Sequence, residues 1–164
     1  MKFHAEVLVI VSSFRNEVLI ERPVEDVFAY LSDFENVPRW NYAVTRTTKL
    51  TPGPPQVGTE FEQLRSIPRP GTERFTLVAM ERPSLLEIDG QLGPFAARLR
   101  YELHAVGPSR TRLVNAASVS PPVALSMLSS LLGRQVGTAV AANLQVLRSL
   151  LEAPSRGQTS TQIA

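Results

Sequence analysis

The sequence contains no cysteine. That excludes disulfides, thiolate nucleophiles and cysteine-ligated zinc together, and it fits a reducing, cytoplasmic setting. Histidine is nearly absent as well. His4 and His104 stand far apart in the chain, so no metal site is expected, and nothing calls for another cofactor. Neither sign of charge dominates: 17 Lys and Arg face 15 Asp and Glu, for a formal net charge of +2. The basic residues are scattered, whereas nucleic-acid readers gather them on one face, so no nucleic-acid partner is expected. Phosphate-cradling glycine loops are missing, because Gly53, Gly58 and Gly71 read as turn or strand-entry glycines. Ser126, Ser129 and Ser130 have no histidine partner nearby in the sequence, so no nucleophile constellation is visible. Long apolar runs are lacking too. The run Val7-Leu8-Val9-Ile10-Val11 follows Lys2 and Glu6 and falls far short of the roughly 20 residues of a membrane span. It reads as an extra strand or an extension of the first, with a weak membrane or export signal as the alternative. Stable membrane insertion is not expected, and the sequence carries no sign of oligomeric state.

What is present is an ordinary globular composition, 43% apolar and 20% charged over 164 residues, enough for one domain with a real core. Residues 14–21 read as a strand. Pro23, Glu25 and Asp26 open a short helix whose apolar face is Val27, Phe28, Tyr30 and Leu31. Asp33 reads as the cap of a second short helix that Pro38 limits. Six further strands are expected at 42–50, 57–67, 73–81, 85–92, 95–106 and 111–120, separated by Pro- and Gly-bearing turns. The clearest alternation puts Phe95, Ala97, Leu99, Tyr101 and Leu103 on a dry face and Arg98, Arg100, Glu102 and His104 on a wet one. A cover for the dry face is expected from residues 122–152. There Leu125, Leu128, Leu132, Val136, Val140, Leu144, Leu147 and Leu151 form a helical stripe. Gly133 and Gly137 interrupt it, either for a kink or close helix–sheet contact or to leave room for a ligand.

This order resembles the START-like, birch-allergen-like helix-grip superfamily (SRPBCC), and within it the polyketide cyclase/dehydrase and lipid-transport branch. The resemblance rests on Pro23-Val24-Glu25-Asp26-Val27-Phe28, Leu31-Ser32-Asp33, Pro38-Arg39-Trp40 and Val57-Gly58-Thr59. It continues through Glu81-Arg82-Pro83, Thr111-Arg112-Leu113, Asn143-Leu144, Leu147 and Leu151-Glu152. It implies an α+β fold in which about seven antiparallel strands curve around a long C-terminal helix. It also implies a cavity between sheet and helix for a small apolar ligand. The domain is expected to cover 14–152, with 1–13 an N-terminal extension and 153–164 a disordered tail.

The expected cavity wall takes Trp40 from the short helices and Phe61 and Gln63 from the strand at 57–67. Phe95, Ala97, Leu99 and Tyr101 come from the alternating strand, Asn115 and Ala117 from the last. Leu132, Val136 and Val140 face them from the helix. Three functions compete: a carrier or sensor of an apolar molecule; a polyketide aromatase/cyclase or dehydratase working in the same cavity without metal or cofactor; and a protein-interaction module. No catalytic residue is singled out.

Overall fold

The computed structural model describes residues 12–92, 95–120 and 129–154, without side chains at 12, 92 and 129–133. The apolar run at 7–11, the tail from 155 and the start of the expected helix, with Leu125 and Leu128, lie outside these residues. Seven strands form one antiparallel sheet: β1 Ser12–Ile20, β2 Val44–Lys49, β3 Glu60–Arg65, β4 Gly71–Glu81, β5 Leu85–Leu92, β6 Phe95–Ala105 and β7 Thr111–Ser120. Their order is β1-β7-β6-β5-β4-β3-β2. Between β1 and β2 lie α1, Val24–Ser32, and a 3-10 helix, Phe34–Arg39. The last element is α2, Ser129–Glu152.

Local chemistry explains the short helices. Pro23 precedes α1, and Glu25 and Asp26 occupy its first turn, where negative charge offsets the helix dipole. Asp33 caps the 3-10 helix by accepting a hydrogen bond from the Glu35 amide, 3.2 Å. Pro38 does not limit this helix as its sequence position suggested. It lies inside, one residue before the end, because the short helix asks for few backbone donors and Pro has none to give. An aromatic trio anchors the segment to the sheet. Phe34 lies 5.0 Å from Phe61 and 5.4 Å from Phe75, and those two stack at 5.0 Å.

The curvature follows from two contacts made by α2. Gly137 lies against Phe14 of edge strand β1, and its carbonyl accepts a 3.1 Å hydrogen bond from the Asn16 amide. Less than two turns later, Asn143 bonds at 3.1 Å to Asn41, just before the other edge strand, β2. A flat sheet of seven strands would hold its edges nearly 30 Å apart, at about 4.8 Å per strand. Both edges reach one helix only if the sheet wraps it. Of the two readings of Gly137, close contact is therefore the observed one: a Cβ there would sit 3.2 Å from Phe14 Cβ.

Gly90 is tighter still. A Cβ on it would stand 2.6 Å from the Arg74 carbonyl oxygen and 2.8 Å from Phe75 Cα. These are backbone atoms of β4, so the strand itself would have to move. Gly90→Ala should cost about 1–3 kcal/mol by overpacking, read as a fall in the urea midpoint without a change in slope. An unchanged midpoint would show that β5 lies further from β4 than this.

Candidate functional site

The pairing register sorts the inner face into rows. One row crosses Asn16, Asn115, Tyr101 and Leu86. The next crosses Phe14, Ala117, Leu99, Ile88 and Leu77. A third crosses Val119, Ala97, Gly90, Phe75 and Phe61. Beyond it, on β4, β3 and β2, lie Glu73, Gln63 and Thr47, with Arg65 beside them.

The apolar wall is not uniformly closed. Phe61, Ala97 and Ala117 are buried, and so is Trp40 at the end of the 3-10 helix. Phe61 packs within the aromatic trio. By contrast Leu99, Phe95, Val136 and Val140 remain partly accessible. Leu99 is the telling one. Its strand has hydrogen-bonded neighbours on both sides, and it shares its phase with Ala97 and Tyr101, so its accessible surface faces the space beneath the sheet. Leu132 lies outside the residues whose side chains are described.

Polar atoms stud this wall. Asn115 is fully buried. Its amide nitrogen donates to the Arg100 carbonyl at 3.4 Å, and its Oδ1 has no partner among the described residues. Tyr101, directly opposite Asn115, is 7% exposed, and its hydroxyl makes no hydrogen bond among the described residues. Burial pushes its pKa up, so the phenol stays protonated at neutral pH. Asn143 is buried on α2, and its Oδ1 too lacks a partner among the described residues. Thr47 Oγ1 is the third such atom. Buried polar atoms are normally paired, so three orphans on the inner wall need a cause.

The far row is a charge network. Arg65 Nε donates to Glu73 Oε1 at 2.9 Å, and Gln63 Nε2 donates to Glu73 Oε2 at 2.7 Å. The side chains of Arg65 and Glu73 are 11% and 5% exposed. Sequence reading found Gln63 but missed Arg65, Glu73, Thr47 and Asn143. The available clue was phase. Glu73 is two and four residues from Phe75 and Leu77, and Arg65 is two and four from Gln63 and Phe61.

The outer face is wet. Arg98 pairs with Asp89 at 2.9 Å, and Arg100 with Glu87 at 2.8 Å and with Glu102 at 2.7 Å. The Arg100 hydrogen bond holds the Glu102 carboxyl below the usual carboxylate range. His104 lies there as well, 45% exposed. Among the described residues no three His, Asp or Glu side chains gather as a metal site, and no helix is long and apolar enough to cross a membrane.

No curated protein matches the sequence. Solved structures do match the fold. The di-domain ARO/CYC StfQ from the steffimycin biosynthetic pathway superposes with a TM-score of 0.70 at 17% identity, over 87% of this chain and 51% of that one. The chain thus spans about half the length of StfQ. A START superfamily protein from Mycobacterium smegmatis gives 0.62 at 18% identity, over 82% and 98%. The ZhuI aromatase/cyclase from Streptomyces sp. R1128 gives 0.65 at 10% identity, over 86% and 96%. At these identities the likeness is one of fold. Sequence membership rests on a family model that matches residues 12–152, nearly all of the described chain: the protein belongs to the polyketide cyclase/dehydrase and lipid transport family.

Proposed function

We propose that the protein binds a small, largely apolar molecule between the sheet and α2, as a cytoplasmic carrier or sensor. The observation that carries this reading is the inward accessibility of Leu99, one row from Asn115, together with buried polar atoms at Asn115 and Asn143 that have no partner among the described residues. A packed core would close over the leucine and pair the amides. A ligand would do both, burying apolar surface at about 25 cal/mol per Å² and supplying the missing hydrogen bonds.

The test is a thermal-shift screen with fatty acids, sterols, flavonoids and aromatic polyketides. A ligand that binds only the folded form adds about 2.7 kcal/mol at a hundredfold excess over its dissociation constant. Leu99→Trp should fill the open space, keep its stability and lose the shift. Ala97→Phe, at a closed position on the same strand, should instead cost about 1–3 kcal/mol. If nothing shifts the protein and Leu99→Trp is as damaging as Ala97→Phe, the wall is simply packed and the reading is wrong.

A second reading is favoured by Tyr101. A protonated phenol beside the Asn115 amide could hold and protonate a poly-β-keto chain during ring closure or dehydration, and StfQ and ZhuI carry names of that kind. Turnover of such a substrate, abolished in Tyr101→Phe with binding retained, would establish it.

A further inference from the structure

We infer that the site selects uncharged, hydroxyl-bearing ligands and rejects carboxylates with the same apolar body. The inference rests on the ligand-binding reading above.

Its first support is the charge balance of the inner wall. Among the described residues, the cation on the inner face of β3 is Arg65, and it is already bound to Glu73 at 2.9 Å. Lys49 shares the inward phase at the edge of the sheet, but its ammonium is tied to the Gly53 carbonyl in the following loop. Arg22, at the other end, donates to the carbonyls of Leu151 and Ala153. The stretches 93–94 and 121–133 contain no Lys, Arg or His. Among the described residues and these two stretches, a carboxylate drawn beneath the sheet would therefore lose its hydration and find no unspent cation, the costly case for a buried charge.

The second support is the sense of the orphaned groups. An amide's two ends are told apart by its partners. Asn41 Oδ1 accepts the Ala43 amide at 3.1 Å, so it is an oxygen, and the Asn143 atom facing it at 3.1 Å must be the donating nitrogen. The free Asn143 atom is thus an acceptor. Asn115 is fixed in the same way, its nitrogen facing the Arg100 carbonyl and its Oδ1 free. Two buried acceptors repel a carboxylate and welcome an O–H. Thr47 and Tyr101 offer hydroxyls that can donate to, or accept from, the ligand's oxygen. Together these groups describe a neutral partner, apolar in bulk, with at least one hydroxyl.

The test uses matched probes at pH 7.5: 2-naphthol against 2-naphthoate, and dodecan-1-ol against dodecanoate, by titration calorimetry. The alcohol of each pair should bind at least tenfold more tightly. Glu73→Gln, which leaves the Arg65 charge without that carboxylate, should narrow or reverse the ratio. Asn143→Leu, which adds no charge, should shrink the preference for 2-naphthol over naphthalene and serves if Glu73→Gln does not fold. Carboxylates binding as tightly as the alcohols would overturn the selectivity and leave ligand binding intact. Silence from all four probes, joined to an empty thermal-shift screen, would remove the ligand reading and this inference with it.

Discussion

Arg65→Ala should lower the unfolding free energy by about 3–5 kcal/mol, the usual penalty for breaking a buried ion pair from one side. The pair is deep: its side chains are 11% and 5% exposed, and Glu73 also takes the Gln63 hydrogen bond. Removing the guanidinium leaves the carboxylate where water cannot hydrate it. The attraction itself contributes little net stability, since both ions were dehydrated to form it. The double replacement Arg65→Met with Glu73→Leu should therefore recover most of the loss, and the sum of the single effects should greatly exceed the effect of the pair. Urea denaturation of the original, Arg65→Ala, Arg65→Met, Glu73→Leu and the double replacement measures this. A loss under about 1 kcal/mol for Arg65→Ala would place the pair among solvent-exposed bridges. Such a buried ionic network is hard to justify by stability. It holds a set of polar groups in one arrangement, which suits a binding site better than a core.

The fold was largely legible because its repeats are physical ones. Alternation along 95–104 sets the dry face, and the strand there is observed as Phe95–Ala105. The stripe at Val136, Val140, Leu144, Leu147 and Leu151 sets the face of α2, and Leu144 and Leu147 are buried as that phase requires. Inward polar residues were legible only where apolar ones shared their phase, as Leu99 and Leu103 flank Tyr101, Leu113 and Ala117 flank Asn115, and Phe61 precedes Gln63. Arg65 ends β3 and Glu73 is the third residue of β4, either side of the 66–70 turn, where charged residues are ordinarily solvated. Their burial shows only when β3 and β4 are placed in register, a long-range fact that no local pattern contains. Asn143 was hidden differently. It sits beside the leucine stripe, and its partner Asn41 lies 102 residues away. Gly90 carries no local sign at all, because what forbids a side chain there is the backbone of the neighbouring strand.

Leu144→Ala should cost about 2–5 kcal/mol, the range for truncating a buried leucine. Leu144 is 1% exposed and belongs to one core with Leu103, Leu113 and Leu147. It stands where α2 passes between the two edges of the sheet, one residue after Asn143. The side chains around it come from strands and helix at once, so they cannot collapse together without unwrapping the grip. That puts the expected cost in the upper part of the range. Leu150 is the internal control. It is 42% exposed on the same helix, and Leu150→Ala should change stability by no more than about 0.5 kcal/mol, since alanine is also the better helix former. Thermal and urea unfolding of the two variants side by side measure the phase of the helix directly. Equal losses would mean that α2 is rotated from the orientation described, and with it Val136, Val140 and Asn143 would leave the inner wall.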